Sequence, residues 1–414
     1  MYKKLLSIIQ NPNATFIVSA RGISDFGAYL NMVALSTYVY LITNNIMFVG
    51  IFFACRVFGG IIASLIGTKF FRKFYGNYSL IMFDVLRATL LSLLLFLSTS
   101  NQIKVIPFIA FGLGLSNSMF SIGLNSQLPC WIEEKIIVST NSWITSISAT
   151  AIMLGTFLSG ILISLNGYKM VFEVNICCYL LAAILIMPLR MKSLPKNKST
   201  NNNTAKKKAW FHDLQKIPIL CLILIINLAD TFGSSAHNVG LPVLSKLISP
   251  INSAKTMGII LAVWAMGKFL GARLTNLILR KNSLQVTEKM FFSGVFVMST
   301  GFILLFQQSS FSILLVLCAI YAGIGDGIAE VSLVSRIQNE TEELRLPLFS
   351  LLTFLQMTGF GLGMLIVSPF YIWWKPSHVI ILFHGIPLLA IIASLIFIKI
   401  RKYHSKSICN SSFK

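Results

Sequence analysis

Arg21-Gly-Ile-Ser-Asp-Phe-Gly-Ala-Tyr-Leu30, written RGISDFGAYL, places an arginine and an aspartate four residues apart inside a long apolar run. Positions four apart lie on one face of a helix, with Cβ atoms about 5–6 Å apart, so Arg21 and Asp25 can form an ion pair. Pairing lowers the cost of placing either charge in an apolar interior. The stretch therefore predicts a buried helix that carries a charged pair.

The rest of the chain repeats this apolar character. It has 414 residues, of which 55% are hydrophobic and 11% charged, whereas soluble domains are about 25% charged. A run of about 20 apolar residues is long enough for a helix to cross a bilayer. The composition predicts an all-α integral membrane protein with twelve transmembrane helices. The predicted spans are residues 15–42, 46–68, 78–98, 105–128, 140–165, 169–189, 217–244, 254–279, 290–307, 311–335, 346–372 and 377–399.

The basic residues are distributed unevenly between the two sides of these spans. With both termini placed inside, 24 of the 34 Lys and Arg residues lie in inside stretches and 5 in outside loops. The positive-inside rule explains this bias, so the net charge of +21 does not require a nucleic-acid partner. We expect a multi-pass protein of a cell membrane, the bacterial inner membrane, with cytoplasmic termini and no removable signal peptide.

A polar, basic segment divides the spans into two groups of six. It is MKSLPKNKSTNNNTAKKKAWFHDLQK, residues 191–216. The predicted domains are an N-terminal six-helix bundle (1–190), this cytoplasmic linker (191–216), a C-terminal six-helix bundle (217–400) and a cytoplasmic tail (401–414).

The two groups of spans also resemble each other. Three separate matches lie at offsets of 205, 208 and 211 residues, near half the chain length, which indicates a duplication. The matches are Asp25 with Asp230, Gly59 with Gly267, and Gly114 with Gly325. Two six-span repeats with the same orientation are typical of one transporter architecture, in which an axis along the membrane normal relates the repeats.

Several motifs carry a resemblance to a known family. They are Arg21, Ser24, Asp25 and Gly27, then Asp84-Val-Leu-Arg87, the passage from Leu128-Pro129 to Asn141-Ser142, and Gly155, Gly160 and Gly167. In these features the chain resembles major facilitator superfamily exporters, particularly the branch of enterobactin-type siderophore exporters and macrolide efflux proteins. The resemblance implies alternating access, a substrate site near the membrane midplane and proton-coupled export.

The family's loop after the second span usually reads Gly-x-x-x-Asp-Arg/Lys-x-Gly-Arg. This chain keeps the glycine and the basic pair as Gly67, Arg72 and Lys73, but Phe71 stands where the acid is expected. The resemblance implies a cytoplasmic gating loop at these residues. The family's charge relay lacks its acid here.

Charges inside the spans are costly, so each needs a partner or a function. Asp84 and Arg87, three residues apart, are predicted to pair as Arg21 and Asp25 do. We expect Arg56 and Arg273 to serve as cross-helix partners of these pairs. Arg21, Arg56, Asp84, Arg87 and Arg273 are therefore candidate ion-pair or substrate-contact residues. The alternative is that the pairs only join helices.

The acids without a nearby base are the candidates for proton coupling. Asp230 has no basic residue within two turns, and Asp326 and Glu330 form two acids on one helix face. Burial and like-charge proximity favour uptake of a proton. Asp25, Asp230, Asp326 and Glu330 are the predicted proton-coupling candidates. The alternative is that some of them are simply protonated and hydrogen-bonded in the core.

No pattern typical of an enzyme occurs, because the five histidines are predicted to scatter between linker, loops and tail and no phosphate-binding glycine loop is present. The seven cysteines lack ligand spacing, so we expect no metal or other cofactor. The sequence predicts a monomeric secondary transporter with a bilayer, protons and a small-molecule substrate as partners. We expect antiport of a molecule such as a siderophore. Macrolide-type multidrug efflux and proton-coupled nutrient import remain alternatives.

Overall fold

A computed structural model describes residues 11–43, 46–190, 212–249, 253–279 and 283–411. In these ranges the chain is helical apart from short turns, and twelve helices are long and apolar enough to cross a membrane. The predicted all-α fold with twelve spans is confirmed. The helices are α1 (Pro12–Thr43), α2 (Ile46–Lys73), α3 (Asn77–Phe96), α4 (Thr99–Trp131), α5 (Glu134–Ile163), α6 (Leu165–Ile186), α7 (Pro218–Ile248), α8 (Ser253–Leu279), α9 (Leu284–Leu305), α10 (Ile313–Gln338), α11 (Glu342–Trp373) and α12 (Pro376–Ser411).

Two glycines allow sharp changes of direction between spans. Helices α5 and α6 follow each other directly within Glu134–Ile186, and the backbone is not helical at Gly167, which has φ 74° and ψ −178°. Gly76, with φ 117°, precedes α3. Positive φ is accessible to glycine without the steric cost that a Cβ imposes. Gly167 therefore marks the turn between α5 and α6.

Part of the predicted domain organisation lies outside the described residues. These undescribed parts are residues 1–10, most of the predicted linker (191–211) and residues 412–414. The helix that contains α12 continues to Ser411 and so includes most of the predicted tail. The boundaries of the two six-helix bundles stay predictions.

The apolar cores differ between the two ends of the bundle. The chain runs through the bundle twelve times, so the start of α1 and the end of α12 lie at the same end. We call this the terminal end. There a single core includes side chains of both groups of six helices, for example Trp131 of α4 and Phe349 of α11. Toward the opposite end each group has its own core, around Leu91 in α1–α6 and around Phe383 in α7–α12. The two groups therefore pack together mainly at the terminal end.

Hydrogen bonds between the two groups follow the same pattern. Thr68 Oγ1 of α2 donates to Ser350 Oγ of α11 at 2.9 Å. Asn141 Nδ2 of α5 donates to Ser335 Oγ and Gln338 Oε1 of α10 at 2.9 and 2.6 Å. Among the described residues, all such bonds between the groups lie between the terminal end and the middle of the bundle. The bundle is closed at the terminal end.

Close helix crossings recur in both groups. A Cβ on Gly59 of α2 would clash with the carbonyl oxygen of Phe111 on α4, and one on Gly267 of α8 would clash with that of Ile320 on α10. The backbones of α2 and α4, and of α8 and α10, therefore touch at corresponding places. The predicted match of Gly59 with Gly267 agrees with this packing.

The predicted match of Gly114 with Gly325 is wrong by two residues. Gly114 packs against the backbone of Arg56. Gly323 packs in the same way against the backbone of Trp264, which lies 208 residues after Arg56, so the two glycines are at an offset of 209. Gly325 instead meets the backbone of Met298 on α9. The glycines of this segment face α8 and α9 alternately. Their spacing in the sequence therefore does not tell which glycine corresponds to Gly114.

Candidate functional site

Lys268 of α8 joins two acids of α10 in the interior of the bundle. Its Nζ lies 3.1 Å from Asp326 Oδ2 and 2.6 Å from Glu330 Oε2. Asp326 and Glu330 are four residues apart and so share one face of α10. Gly267 and Gly271 flank Lys268 and let the two backbones meet, which brings the lysine within reach of both carboxylates.

Asp326 and Glu330 are therefore not the uncompensated acids that the sequence indicated, and that prediction is wrong. Lys268 was not among the predicted site residues because spacing within one helix says nothing about pairing between helices. Its position between two glycines was the available signal, since glycines mark the face on which helices approach most closely.

The predicted pair of Arg21 and Asp25 is present in α1. Arg21 Nε donates to Asp25 Oδ2 at 2.9 Å, and the two side chains are 19% and 7% exposed. Ser148 Oγ of α5 also donates to Asp25 Oδ2. Asp25 is thus held by a cation from its own helix and a hydroxyl from a neighbouring helix.

Helix α5 connects the charged groups of the two halves. Thr145 Oγ1 donates to Glu330 Oε1 at 3.3 Å, and Ser148, three residues further along, donates to Asp25. Residues three apart lie on one helix face. We call Arg21, Asp25, Lys268, Asp326 and Glu330 the charged network. Its members lie on α1 of the first half and on α8 and α10 of the second, and α5 contacts both parts.

The predicted pair of Asp84 and Arg87 is also present and is almost completely buried in α3. Asp84 Oδ1 accepts from Arg87 Nη2 and from Ser24 Oγ of α1, the latter at 3.3 Å. The guanidinium of Arg87 lies 4.8 Å from the ring centre of Phe120 and 4.7 Å from that of Tyr179. These contacts join α1, α3, α4 and α6 within the first half, which fits a structural role.

Asp230 of α7 differs from the other candidate acids. Its Oδ1 is buried, and no group in the described ranges offers it a hydrogen bond. The Asp230 carboxyl interacts electrostatically with Asp326 and Lys268, both members of the charged network. Of the four predicted proton-coupling residues, it alone has no ion-pair partner in the described part of the chain.

The prediction that Arg56 and Arg273 pair with these acids is wrong. Arg56 Nη1 of α2 is buried without a hydrogen-bond partner among the described residues. Arg273 of α8 places its guanidinium 3.2 Å from the ring centre of Trp143 on α5, and its Nη2 also lacks a partner there. The interior therefore holds two arginines that no carboxylate of the described chain neutralises.

The predicted gating-loop residues lie at the terminal end, where α2 meets α11. A Cβ on Gly67 would lie 3.3 Å from Ser350 Oγ, so this glycine faces the other half. Arg72 and Lys73 are exposed and have no acidic partner in the described part of the chain. Phe71, at the position of the family's acid, is fully buried. Apolar packing takes the place of the charge there.

A cavity of about 330 Å³ lies between α5 and α8. Its lining is mostly apolar and includes Ala149, Met153 and Phe269. Ala149 directly follows Ser148, and Phe269 directly follows Lys268. The cavity therefore lies between the two helices that carry Ser148 and Lys268. A volume of this size is within the range of small-molecule sites, about 300–1,000 Å³.

The prediction that the histidines scatter between linker, loops and tail is wrong for two of them. His237 lies within α7 and His384 within α12, and their rings form a buried hydrogen bond. A separation of 147 residues hides this contact from any local pattern.

Comparison with known families and structures gives consistent results. The Major Facilitator Superfamily profile matches residues 17–345. Comparison with curated proteins gives no match. Among solved structures, FucP in its outward conformation has a TM-score of 0.74 and 10% identity, covering 91% of this chain and 97% of its own. FucP is described as the fucose:proton symporter of E. coli.

Two further structures are similar over most of both chains. A bacterial homologue of the iron transporter ferroportin, in an outward-facing state, has a TM-score of 0.72 and 13% identity, covering 92% of this chain and 97% of its own. The proton:xylose symporter XylE has a TM-score of 0.67 and 13% identity, with coverages of 93% and 95%. At such low identities, the likeness concerns the fold alone.

Proposed function

The chain belongs to the Major Facilitator Superfamily, and from this premise we propose that it is a proton-coupled exporter of a small organic molecule. The fold is that of secondary transporters, in which a site near the midplane opens to one side at a time. The bundle is closed at the terminal end and has separate cores at the opposite end. It therefore corresponds to the state in which the site opens away from the terminal end.

Asp230 is the observation that carries the proton coupling. A carboxylate with a buried, unpartnered oxygen is costly in its charged form, so protonation stabilises it. Lys268 and Asp326, which act on Asp230, belong to the charged network that bridges the halves. When the halves move apart at the terminal end, the contacts of this network change. A proton bound at Asp230 is thereby linked to the direction in which the site opens.

Through Lys268, the charged network also controls the acids of α10. While Lys268 contacts Asp326 and Glu330, its positive charge favours the ionised form of both acids. Movement of α10 away from α5 would break the bond of Thr145 to Glu330. Asp25 and Glu330 then become available for exchange of partners. We therefore assign the proton first to Asp230 and treat the paired acids as the residues that respond to it.

Arg56 and Arg273 support an anionic or oxygen-rich substrate. Each has a buried guanidinium nitrogen that no group in the described ranges accepts from. Substrate carboxylate or catecholate oxygens would satisfy such donors. The apolar cavity between α5 and α8 would take the less polar part of the molecule. A siderophore combines both properties.

Two other functions remain candidates on specific observations. Macrolide-type multidrug efflux is favoured by the apolar cavity between α5 and α8 together with the interior acids Asp230, Asp326 and Glu330, since these would attract a cationic, largely apolar drug. Nutrient import is favoured by the similarity to FucP and XylE, which are described as proton symporters of sugars. Both alternatives keep the same fold and the same proton site.

The charge bias supports a cytoplasmic location of the terminal end, and the membrane we propose is the bacterial inner membrane. With this orientation the described conformation faces outward. Gly67 and the exposed Arg72 and Lys73 then form a cytoplasmic gate with the start of α11. The proposed bundles are 1–190 and 217–400, joined by the basic linker, and the protein acts as a monomer.

Comparative metabolite profiling tests this function. Culture medium from a deletion strain is compared with medium from strains that carry the wild type, Asp230→Asn, Glu330→Gln or Asp213→Asn, with and without iron. Asp213 is the matched control, because it lies at the surface outside the spans, where the hydrogen bond from Lys216 lowers its pKa. We expect one compound to be lost from the deletion medium, retained in the cells and restored by the wild type and Asp213→Asn but not by Asp230→Asn.

Normal export by both Asp230→Asn and Glu330→Gln would refute the proton site. An unchanged medium with slower uptake of a nutrient would replace export by import. Loss of resistance to a macrolide, without any missing metabolite, would favour multidrug efflux.

A further inference from the structure

The last turns of α2, at the terminal end, carry three basic residues without acidic partners. Lys69, Arg72 and Lys73 are exposed, and we call them the basic cluster. None of them forms an ion pair among the described residues. Lys73 Nζ lies 5.3 Å from the ring centre of Phe74, the next residue in the chain. The charge of the cluster is therefore available to a partner outside the described chain.

The first part of the sequence offers the basic cluster no acid at the surface. Among residues 1–132 the acidic residues are Asp25 and Asp84, and the next acid along the chain is Glu133. Asp25 and Asp84 each pair with an arginine of their own helix in the interior. The positive charge at the end of α2 is thus not balanced by the segments on either side of it.

The basic cluster lies on the side of α2 that turns away from the second half. A Cβ on Gly67 would lie 3.3 Å from Ser350 Oγ, so this glycine marks the side that faces α11. With 3.6 residues per turn, Lys69 lies about 160° around the helix from Gly67. Arg72 and Lys73 lie about 140° and about 120° from it. The cluster and the contact with α11 are therefore on opposite sides of one helix end.

The side of α2 that carries the cluster is apolar one turn further into the bundle. Leu65 and Ile66 are exposed there. They precede Lys69 by four and three residues and so share its face. Because the two halves pack together at the terminal end, exposed apolar side chains near that end face the bilayer. The basic cluster therefore continues a stripe that contacts lipid.

An exposed tyrosine indicates the level of the membrane surface. Tyr78, in the first turn of α3, is 82% exposed, and Phe74 before it is also exposed. Tyrosine is enriched where spans meet water, because its ring is apolar and its hydroxyl polar. The turn between α2 and α3 thus lies at the level of the lipid headgroups. Basic side chains beside it meet phosphate groups.

The repeat of the fold does not require a lysine at position 69. At the offset of 208 residues that relates Gly59 to Gly267, Lys69 corresponds to Leu277. Leu277 is 63% exposed at the terminal end of α8. An exposed apolar side chain thus occupies the equivalent position in the second half. The charge at Lys69 is therefore a property of the first half and not of the repeat.

We propose that the basic cluster binds the headgroup of an acidic phospholipid at the terminal end. The phosphate oxygens accept hydrogen bonds from Lys69, Arg72 and Lys73. The acyl chains lie along Leu65 and Ile66. A lipid of net negative charge binds better than a zwitterionic one, because the cluster holds no acid that would attract a headgroup ammonium. The contact with α11 is on the opposite side of the helix, so the lipid leaves it in place.

Native mass spectrometry of the purified full-length protein tests this site. The protein, in a neutral detergent, is mixed with equal amounts of acidic phosphatidylglycerol and zwitterionic phosphatidylcholine that have the same acyl chains. The cluster variant is Lys69→Gln, Arg72→Gln, Lys73→Gln. The matched control removes the same charge from exposed positions at the opposite end and is Lys104→Gln, Lys246→Gln, Lys375→Gln.

Each basic residue at a membrane surface contributes about a fivefold preference for acidic lipid. We expect the wild type and the control to retain phosphatidylglycerol over phosphatidylcholine. In the cluster variant this preference should fall by up to about a hundredfold, the product of three such contributions. Basic residues elsewhere add a background that the wild type and the cluster variant share. A wild type without preference, an unchanged preference in the cluster variant, or an equal loss in the control would each overturn the proposal.

A measurement on the wild type covers the case in which the cluster variant does not fold. Phosphatidylglycerol with a photoreactive group on its headgroup is added to phosphatidylcholine vesicles that hold the protein, and mass spectrometry locates the cross-linked peptides. We expect label within residues 65–78, and less of it as the salt concentration rises, because salt screens exposed charges. Label confined to other segments would contradict the site.

Discussion

Lys268 is the basic residue that pairs with the two acids of α10 in the second half. It contacts Asp326 and Glu330, and its side chain is only 12% exposed. In Lys268→Met two carboxylates would remain side by side in the interior. Removing one partner of a fully buried ion pair costs about 3–5 kcal/mol, and the cost is smaller here because Glu330 is 37% exposed. We expect a clear drop in the midpoint of thermal unfolding of the purified protein, measured by tryptophan fluorescence.

The triple variant Lys268→Met, Asp326→Asn, Glu330→Gln provides the control. Because it removes the acids together with the lysine, it should recover most of the lost stability. A Lys268→Met variant as stable as the wild type would show that the contacts contribute nothing to the fold.

Asp25 and Asp230 offer a comparison of a paired and an unpaired carboxylate. Asp25→Asn weakens the bonds from Arg21 and Ser148, so we expect a loss of about 1–3 kcal/mol. Asp230→Asn replaces a carboxyl group whose Oδ1 has no partner among the described residues, so unfolding should occur at the same or a higher temperature. The unfolding midpoint of Asp25→Asn should therefore fall, whereas that of Asp230→Asn should not. Equal destabilisation would contradict the distinct environments assigned to these acids.

Contacts within one helix could be predicted from the sequence, and contacts between helices could not. The pairs Arg21–Asp25 and Asp84–Arg87 follow from spacings of four and three residues. The pairing of Lys268 with α10 depends on how two helices cross, as does the contact of His237 with His384. Arg56 and Arg273 were assigned acidic partners because unpaired charges are costly, yet the interior leaves both without one.

At the scale of helices, glycines determine how closely α8 and α10 approach. In Gly267→Ala the new Cβ would clash with the backbone oxygen of Ile320, so the helices must separate. We expect a loss of about 1–3 kcal/mol, as for other overpacked sites. Gly258→Ala in the same helix is the control, since a Cβ there meets nothing within 4 Å. Thermal unfolding of both variants gives the comparison.

If Gly267→Ala and Gly258→Ala unfold at the same temperature, the close crossing of α8 and α10 is not a feature of the folded protein. The crossing also positions Lys268, so its loss should affect the charged network. Transport by Gly267→Ala should therefore fall even where the protein still folds.

The spans could be predicted because each helix is a long apolar run, and length and hydropathy are properties of one segment. Which helices a residue packs against could not be predicted, because it depends on contacts between segments. Gly323 and Gly325 are equivalent in the sequence, but one faces α8 and the other α9. Which glycine repeats the role of Gly114 depends on the rotation of α10, and a two-residue ambiguity follows.

At the scale of the whole molecule, the two halves share a core at the terminal end and have separate cores toward the opposite end. Because the contact at the terminal end includes hydrogen bonds between small polar side chains, it can open without exposing buried charge. Alternating access requires this end to open during each cycle.

Cross-linking the terminal end tests this account most directly. Thr68 Oγ1 and Ser350 Oγ are 2.9 Å apart, so cysteines at both positions, in a background without the native cysteines, should form a disulfide between α2 and α11. The measurement is export, in oxidised and reduced cells, of the compound that metabolite profiling identifies. We predict that oxidation stops export, that a reductant restores it, and that either single cysteine leaves it unchanged. Undiminished export by the fully cross-linked protein would contradict alternating access through this end.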